Sequence, residues 1–288
     1  MLHEFKKMNI LITGCDGFLG RNLVHFLESK YNIFAASKKE LDLLDRKKID
    51  KFFSDNRIDT VLHTAIVGRG IPSDNTFNSF LSNLIMFNNL YENRNKFGRM
   101  INFGSGAEFD REQKISLVEE KQLFNRLPTD FYGLAKNLMT RRIININANI
   151  YNLRIFGCFG HDEPQHRLIK SAIKCVLENK PITINDDIYM DFFYVNDVCR
   201  VVEHYLTNCD LHKDMNLVYM KKTKLSDVVN MIFEESNRKV NLDIKQKSSR
   251  CYNGSGALLD QLNLNLVGLR QGIKEVYGQE AREYTRVS

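Results

Sequence analysis

The sequence predicts an α/β fold: a doubly wound parallel sheet followed by a smaller mixed α/β C-terminal lobe. Three observations carry that reading. The apolar run Ile10-Leu11-Ile12 ends in Thr13-Gly14, with further glycines at Gly17 and Gly20. Phe18, Leu19, Leu23, Val24, Phe26 and Leu27 then recur at helical spacing, so strand, glycine turn and helix open a βαβ unit. Short apolar runs and helical patterns go on alternating through the next hundred-odd residues, as a parallel sheet requires.

The three glycines have separate physical jobs. The first permits a tight turn. The second removes a side chain where a pyrophosphate must approach backbone, and the third lets the helix pack on the strand. The helix N-terminus adds unpaired N–H groups and its dipole. Gly14, Asp16, Gly17, Phe18, Leu19 and Gly20 are therefore candidate dinucleotide contacts. A second strand is predicted over Asn32 to Ser37. An acid usually ends this strand where a ribose 2′-hydroxyl is held. Here the chain reads Ser37-Lys38-Lys39, and two cations suit a 2′-phosphate. NADP(H) is the expected cofactor and NAD(H) the alternative, with Glu40 next in line working against the choice.

Leu41 to Asp45 precedes a short amphipathic helix reaching about Asn56. Thr60 to Ala65 reads as a buried strand. Ala65, at its carboxyl end, should lie over the cofactor, because such sheets bind ligands there. A polar, glycine-bearing loop follows from Val67 to Asn75. Phe77 to Asn95 is a helix apolar around most of its circumference, hence buried on two sides. One side suits the sheet; the other suits either an internal core or a twin helix in a second copy of the chain. Met100 to Phe103 is a strand running into Gly104 to Phe109. Phe131 opens a helix to about Ala148, in which Tyr132 and Lys136 share one face.

Ile150 to Ile155 is the next strand, and a glycine-bearing turn follows from Gly157 to His166. Ile173 to Leu177 sits in a helix. Asp191 to Asp197 reads as strand then helix start, with Asp197 as N-cap. Beyond Asp210 come a strand near Met215 to Val218 and helices near Leu225 to Glu235 and Leu269 to Tyr277. Residues 1–156 plus about 188–206 form the predicted dinucleotide-binding domain; about 157–187 and 207–288 form the smaller lobe.

The totals exclude several classes. With 43% hydrophobic and 26% charged residues the chain is composed like a soluble globular protein. No apolar run approaches the roughly 20 residues of a membrane span. The opening MLHEFKKM is too polar and short for a signal peptide, so a cytoplasmic location is expected. The six cysteines are scattered, without the spacing of a disulfide framework or a zinc site, and no metal is expected. Net charge is +6, but no basic tract interleaves with aromatics. Nucleic acid is thus not an expected partner, whereas a mildly basic cleft for a phosphorylated substrate is.

Strand-GxxGxxG-helix, Ser105 after a later strand, and Tyr132 to Lys136 as YxxxK on the next helix resemble the extended short-chain dehydrogenase/reductase superfamily, the NAD-dependent epimerases and dehydratases, over nearly the whole chain. The resemblance implies a Rossmann-type sheet. SKKELDLLD with the loop VGRGI is similar to the GDP-fucose synthase branch of nucleotide-sugar 4-ketoreductases. At matching positions Tyr132 would protonate a carbonyl oxygen as hydride arrives, and Lys136 would lower the phenol's pKa and hold the nicotinamide ribose. Ser105 would hydrogen-bond the same oxygen. A phenol near pKa 10 does need a neighbouring cation to work near neutrality. Asp42 and Leu43 would lie by the adenine, and Asn83 would shape the cofactor pocket. Gly106, Ala107, Glu108, His166 and Arg167 would face the substrate. A homodimer through a four-helix bundle is expected, with Phe77 to Asn95 and the helix bearing Tyr132 from each copy, because their apolar surface exceeds what one sheet can cover.

The departures narrow the activity. Sugar-nucleotide dehydratases of this superfamily carry an Asp-Glu pair directly after the serine; here those positions are Gly106 and Ala107. GDP-fucose synthase epimerises with a cysteine matching Ala107 and a histidine matching His166. Alanine moves no proton, and Cys158 is the one conceivable substitute. The arginine that usually precedes the acid of DFFYVND is Met190, with Arg167 as a possible replacement. The expected activity is NADPH-dependent reduction of a 4-keto nucleotide sugar, GDP-type favoured, without epimerisation, in surface-polysaccharide sugar biosynthesis. The alternatives are a 4-epimerase with tightly held NAD and a non-catalytic NADP-binding regulatory protein.

Overall fold

The structure is a computed structural model that describes residues 7–68 and 72–287. In chain order the elements are β1 (Asn9–Thr13), α1 (Phe18–Leu27), β2 (Asn32–Ala36), α2 (Arg46–Asp55), β3 (Thr60–His63), α3 (Phe77–Glu92), β4 (Arg99–Ser105), β5 (Ile115–Val118) and α4 (Phe131–Ile144). There follow β6 (Ile150–Ile155), β7 (Cys158–Phe159), α5 (Leu168–Leu177), β8 (Ile182–Ile184), β9 (Asp187–Met190), β10 (Phe193–Tyr194) and α6 (Val195–Thr207). The last are β11 (Asp214–Leu217), α7 (Leu225–Ser236), β12 (Leu242–Ile244), β13 (Lys247–Gly254), α8 (Ala257–Asp260) and α9 (Leu269–Val287).

The chain divides into two compact units. The first comprises Met1–Glu112, Glu120–Arg154 and Val202–Met215. It is organised by a six-stranded sheet in the order β11-β6-β4-β3-β1-β2. β1 pairs in parallel with β2 on one side and β3 on the other, and β3 with β4. The chain therefore reverses its winding at β1, and a crevice opens past the carboxyl ends of β1 and β3, where such sheets take ligands. Ile10, Leu11 and Ile12 are completely buried, which is why this strand reads as a continuous apolar run. Leu23 and Leu27 of α1 and Ile49 and Phe53 of α2 supply the faces that cover the sheet. α3 and α4 pack on each other.

The second unit comprises Gln113–Glu119, Ile155–Val201 and Asn216–Ser288. It holds a three-stranded sheet β5-β13-β9 and the strand pairs β10-β7 and β12-β8. α5, α7 and α9 pack on one another. Residues 113–119 belong here because Ile115 pairs with Tyr252 and Val118 with Gly254. The strand near Met215, read as part of the lobe, is the edge strand of the large sheet. The N-cap reading of Asp197 is corrected: it sits inside the first turn of α6, fully buried. Its carboxylate accepts from the Tyr219 hydroxyl at 2.5 Å and from the N–H groups of Val267 and Gly268 at 2.7 and 2.9 Å. It ties three segments together instead of capping one helix.

Candidate active site

The glycine turn is built as its sequence demands. Gly14 takes φ +69°, and a Cβ there would meet Cα of Ala65 at 2.6 Å. A Cβ at Gly20 would meet the Gly14 carbonyl at 2.3 Å. Helix, turn and β3 thus touch backbone to backbone, which only glycine allows. α1 begins at Gly17 with no side-chain cap and no acid in its first turn, so its N–H groups and dipole stay directed at the loop. Phe18, Leu19 and Gly20 form that first turn.

A cleft of about 240 Å³ opens beside it. Gly14, Asp16, Gly17, Lys38, Asp42, Leu43 and Ala65 line it, together with Leu41, Ile66, Val67 and Met86, which the sequence reading did not single out. Asn83 grips the backbone of Val67 in both directions, accepting at 2.8 Å and donating at 2.9 Å, so it holds a wall of the cleft. Lys38 and Lys39 are exposed. Glu40 bends back to accept from the N–H of Ser37 at 2.8 Å, and those bonds hold its carboxyl below the usual range. Its charge is engaged with the chain. Arg69, Gly70 and Ile71 of the following loop lie outside the described residues.

Ser105 ends β4 and enters a tight turn, 106–109. Its Oγ accepts from the N–H of Ala107 at 3.2 Å. Tyr132 and Lys136 lie one turn apart on α4, whose first N–H groups are held by Asn75 (to Tyr132, 3.0 Å) and Asp130 (to Gly133, 2.8 Å). Burial pushes the Tyr132 phenol up, and a hydrogen bond to Ser105 pulls against it. Lys136 is buried and donates to the Phe103 carbonyl at 2.6 Å. Burial brings it down to about 8, against an upward pull from Glu108. The guanidinium of Arg111 lies over the Tyr132 ring, 6.0 Å from its centre.

Glu108 differs most from its sequence reading. The segment is a tight turn, and the side chain is fully buried, ion-paired to Arg154 at 2.8 Å. It points into the protein instead of toward a substrate. Gly106 and Ala107 are buried in the same turn.

In the second unit His166 is exposed in the turn before α5. Arg167 is committed to Glu163, its Nε 3.1 Å from the carboxylate. Cys158 is buried, and burial drives its thiol far up, so it is no base near neutrality. Among the described residues one trio has ligand-like spacing: His161, Glu280 and Glu283, within 4.8 Å of one another. Lys170 already bonds Glu280, which makes this an ion-pair cluster. All six cysteines are free.

The model of the NAD dependent epimerase/dehydratase family matches residues 10–218. The chain belongs to this family. It is accordingly an enzyme of the NAD(P)-dependent oxidoreductase type. It is 30% identical over 224 residues to GDP-L-colitose synthase of Yersinia pseudotuberculosis, covering 70% of this chain and 73% of the relative. To GDP-6-deoxy-D-talose 4-dehydrogenase of Aggregatibacter actinomycetemcomitans it is 24% identical over 222 residues, covering 73% and 74%. Among solved structures, GDP-mannoheptose C4 reductase from Campylobacter jejuni with NADP bound superposes with TM-score 0.81 at 18% identity, over 96% of this chain and 98% of that one. At that identity the likeness shows the fold, a Rossmann-type one. Among the described residues no helix is long and apolar enough to cross a membrane.

Proposed function

We propose that this protein uses NADPH to reduce the 4-keto group of a nucleotide-activated 4-keto-6-deoxy sugar, GDP-type favoured, without epimerisation. The observation that carries the reading is Tyr132 and buried Lys136 one turn apart on α4, with Ser105 acting on the Tyr132 phenol from the end of β4 and Gly106 and Ala107 as the two residues that follow it. The names of the relatives, all GDP-sugar enzymes in the two curated cases above, support the substrate class. The cradle at Gly14 and Gly20 and the uncapped α1 fit a pyrophosphate, and Lys38 at the cleft fits a 2′-phosphate. When bound, NADPH supplies the hydride. Ser105 and Tyr132 hold the carbonyl oxygen, Tyr132 gives it a proton, and Lys136 holds the ribose and the local charge.

Epimerisation needs proton removal beside the carbonyl and return on the opposite face, hence two groups. Ala107 offers none, and Cys158 keeps its proton. NADPH oxidation with GDP-, CDP- and dTDP-4-keto-6-deoxy sugars in deuterium oxide tests this. We expect turnover and a product without solvent deuterium at the carbons flanking C4. Rapid incorporation there, lost in His166→Asn, would reveal a second acid/base. Purification with tightly held NAD and no NADPH consumption would favour the 4-epimerase instead.

NADPH should be preferred over NADH. Hydrogen bonds to charged groups contribute about 1.5–3 kcal/mol, but both lysines are exposed, so roughly tenfold is expected. Lys38→Ala should remove most of that preference and Lys39→Ala less, because Lys38 lines the cleft. Equal kcat/KM for the two cofactors in wild type would sink the lysine assignment.

We further infer a homodimer built on α3 and α4 of each copy. Phe77, Leu81 and Phe131 are 57%, 43% and 37% exposed on these adjoining helices, an apolar surface that a second copy would cover. Light scattering should give the mass of two chains; a single-chain mass at micromolar concentration would count against it.

A further inference from the structure

Glu108 commits both carboxylate oxygens to the protein. Oε1 accepts from the N–H of Ser105 at 2.8 Å, and Oε2 from Nε of Arg154 at 2.8 Å. The other arm of Arg154 donates to Asp214 at 2.7 Å. Asn137, next to Lys136 on α4, donates to the Glu108 carbonyl at 2.9 Å. The turn that carries Ser105 and the helix that carries Tyr132 and Lys136 are therefore joined at one residue. The buried charges also balance. Lys136 and Arg154 are cations, Glu108 and Asp214 anions, and all four are buried. A buried charge persists only when it is compensated.

We propose that Glu108 is the positioning residue of this site: its carboxylate fixes the Ser105 backbone and supplies the counter-charge that keeps Lys136 protonated within the fold. The proposal rests on the reading in which Ser105, Tyr132 and Lys136 act on substrate and cofactor. Among the described residues, Glu108 is the charged group that acts on Lys136. Its own helix offers Tyr132, whose phenol is pushed up by burial and so stays neutral. β3 offers His63, which burial holds neutral by bringing it down to about 3, with Lys136 itself adding to that shift. β4 offers the Phe103 carbonyl, a dipole without charge. Burial pushes the Glu108 carboxyl up, and Asp214 from β11 adds to that push, while the Arg154 guanidinium from β6 pulls it back toward the charged form. Burial brings Lys136 down to about 8, and Glu108 pulls it upward. Loss of that carboxylate lowers Lys136 further and leaves it neutral at physiological pH.

The test is NADPH binding, followed by nucleotide fluorescence from about pH 6 to about pH 10, a range that brackets the ordinary lysine value. In wild type the affinity should weaken as pH rises past about 8, where Lys136 loses its proton. Glu108→Gln keeps an acceptor for Ser105 but not the charge. Its limb should move down by at least about one pH unit. Glu108→Asp keeps the charge but draws back from Ser105. It should hold the wild-type limb while turnover falls roughly tenfold, less than the loss of a general acid itself costs. Asp214→Asn, which alters the far side of Arg154, should leave the limb in place.

If Glu108→Gln does not fold, the triple variant Glu108→Leu/Arg154→Leu/Asp214→Leu removes the same carboxylate by the apolar replacement that buried ionic triads tolerate, and the same shift is expected. Lower melting temperatures with an unmoved limb would make Glu108 merely structural and overturn the proposal. A wild-type affinity flat across the range would overturn it too. The functional reading fails separately: if Tyr132→Phe keeps its turnover, the triad assignment is wrong, while the binding limb still reports on Glu108.

Discussion

Tyr132→Phe is expected to lose about 10²–10⁴-fold in turnover while NADPH binds as in wild type. The substitution removes one hydroxyl and keeps the ring. The α4 first turn, held by Asn75 and Asp130 through backbone N–H groups, is untouched, and so is the ring over which Arg111 lies. What disappears is the hydroxyl proposed as the proton donor, on which Ser105 acts. The sign of the pH dependence follows from burial. With its pKa raised, the phenol is protonated throughout the neutral range and is always ready to donate. Wild-type activity should therefore fall only on the alkaline side. Lys136→Met should differ from Tyr132→Phe by weakening cofactor binding as well, since the proposed function gives Lys136 both roles. Measuring kcat and cofactor affinity for the two variants side by side checks this; a Tyr132→Phe enzyme with near wild-type turnover would remove the tyrosine from the chemistry.

The largest expected loss of stability comes from Arg154→Met. Methionine fills much of the arginine's volume, so little of the effect is a cavity. The cost is electrostatic: Glu108 and Asp214 are left buried without their shared cation. Breaking a buried pair by removing one partner costs about 3–5 kcal/mol, or roughly 10 °C in Tm for a chain of this size. The variant also carries its own pH signature. Without Arg154, burial raises the Glu108 carboxyl unopposed above its unfolded value near 4, so the folded state binds more protons than the unfolded state. Stability of the variant should rise as pH falls from neutral toward that unfolded value, and part of the loss should be recovered near pH 5. Thermal melts of wild type and Arg154→Met across that interval decide it. An equal deficit at every pH would mean that the carboxylates are not the source.

The readings that succeeded were local ones. β1, the glycine turn and α1 follow from consecutive residues, because close backbone approach at Gly14 and the helical spacing of Leu23 and Leu27 act within a few positions. The strand over Ile150–Ile155 and the shared face of Tyr132 and Lys136 were legible for the same reason. Asp197 was misread as a cap because a cap is the commonest local use of an acid at a helix start. Its actual partners, Tyr219, Val267 and Gly268, are remote in sequence. The stretch 113–119 carried no strong strand signal because its pairing partner lies in residues 247–254.

The sequence by itself therefore determined the fold class, the glycine turn at the carboxyl end of β1 and the shared helical face of Tyr132 and Lys136, since each depends on steric and periodic rules that operate over a few residues. Only the tertiary structure decided where charge goes. Glu108 turns into the interior because Arg154, 46 residues further on, brings a fully buried guanidinium to meet it. A carboxylate's direction is set by whichever cation can compensate it where water is excluded, and that cation is supplied by the fold and not by the neighbouring sequence.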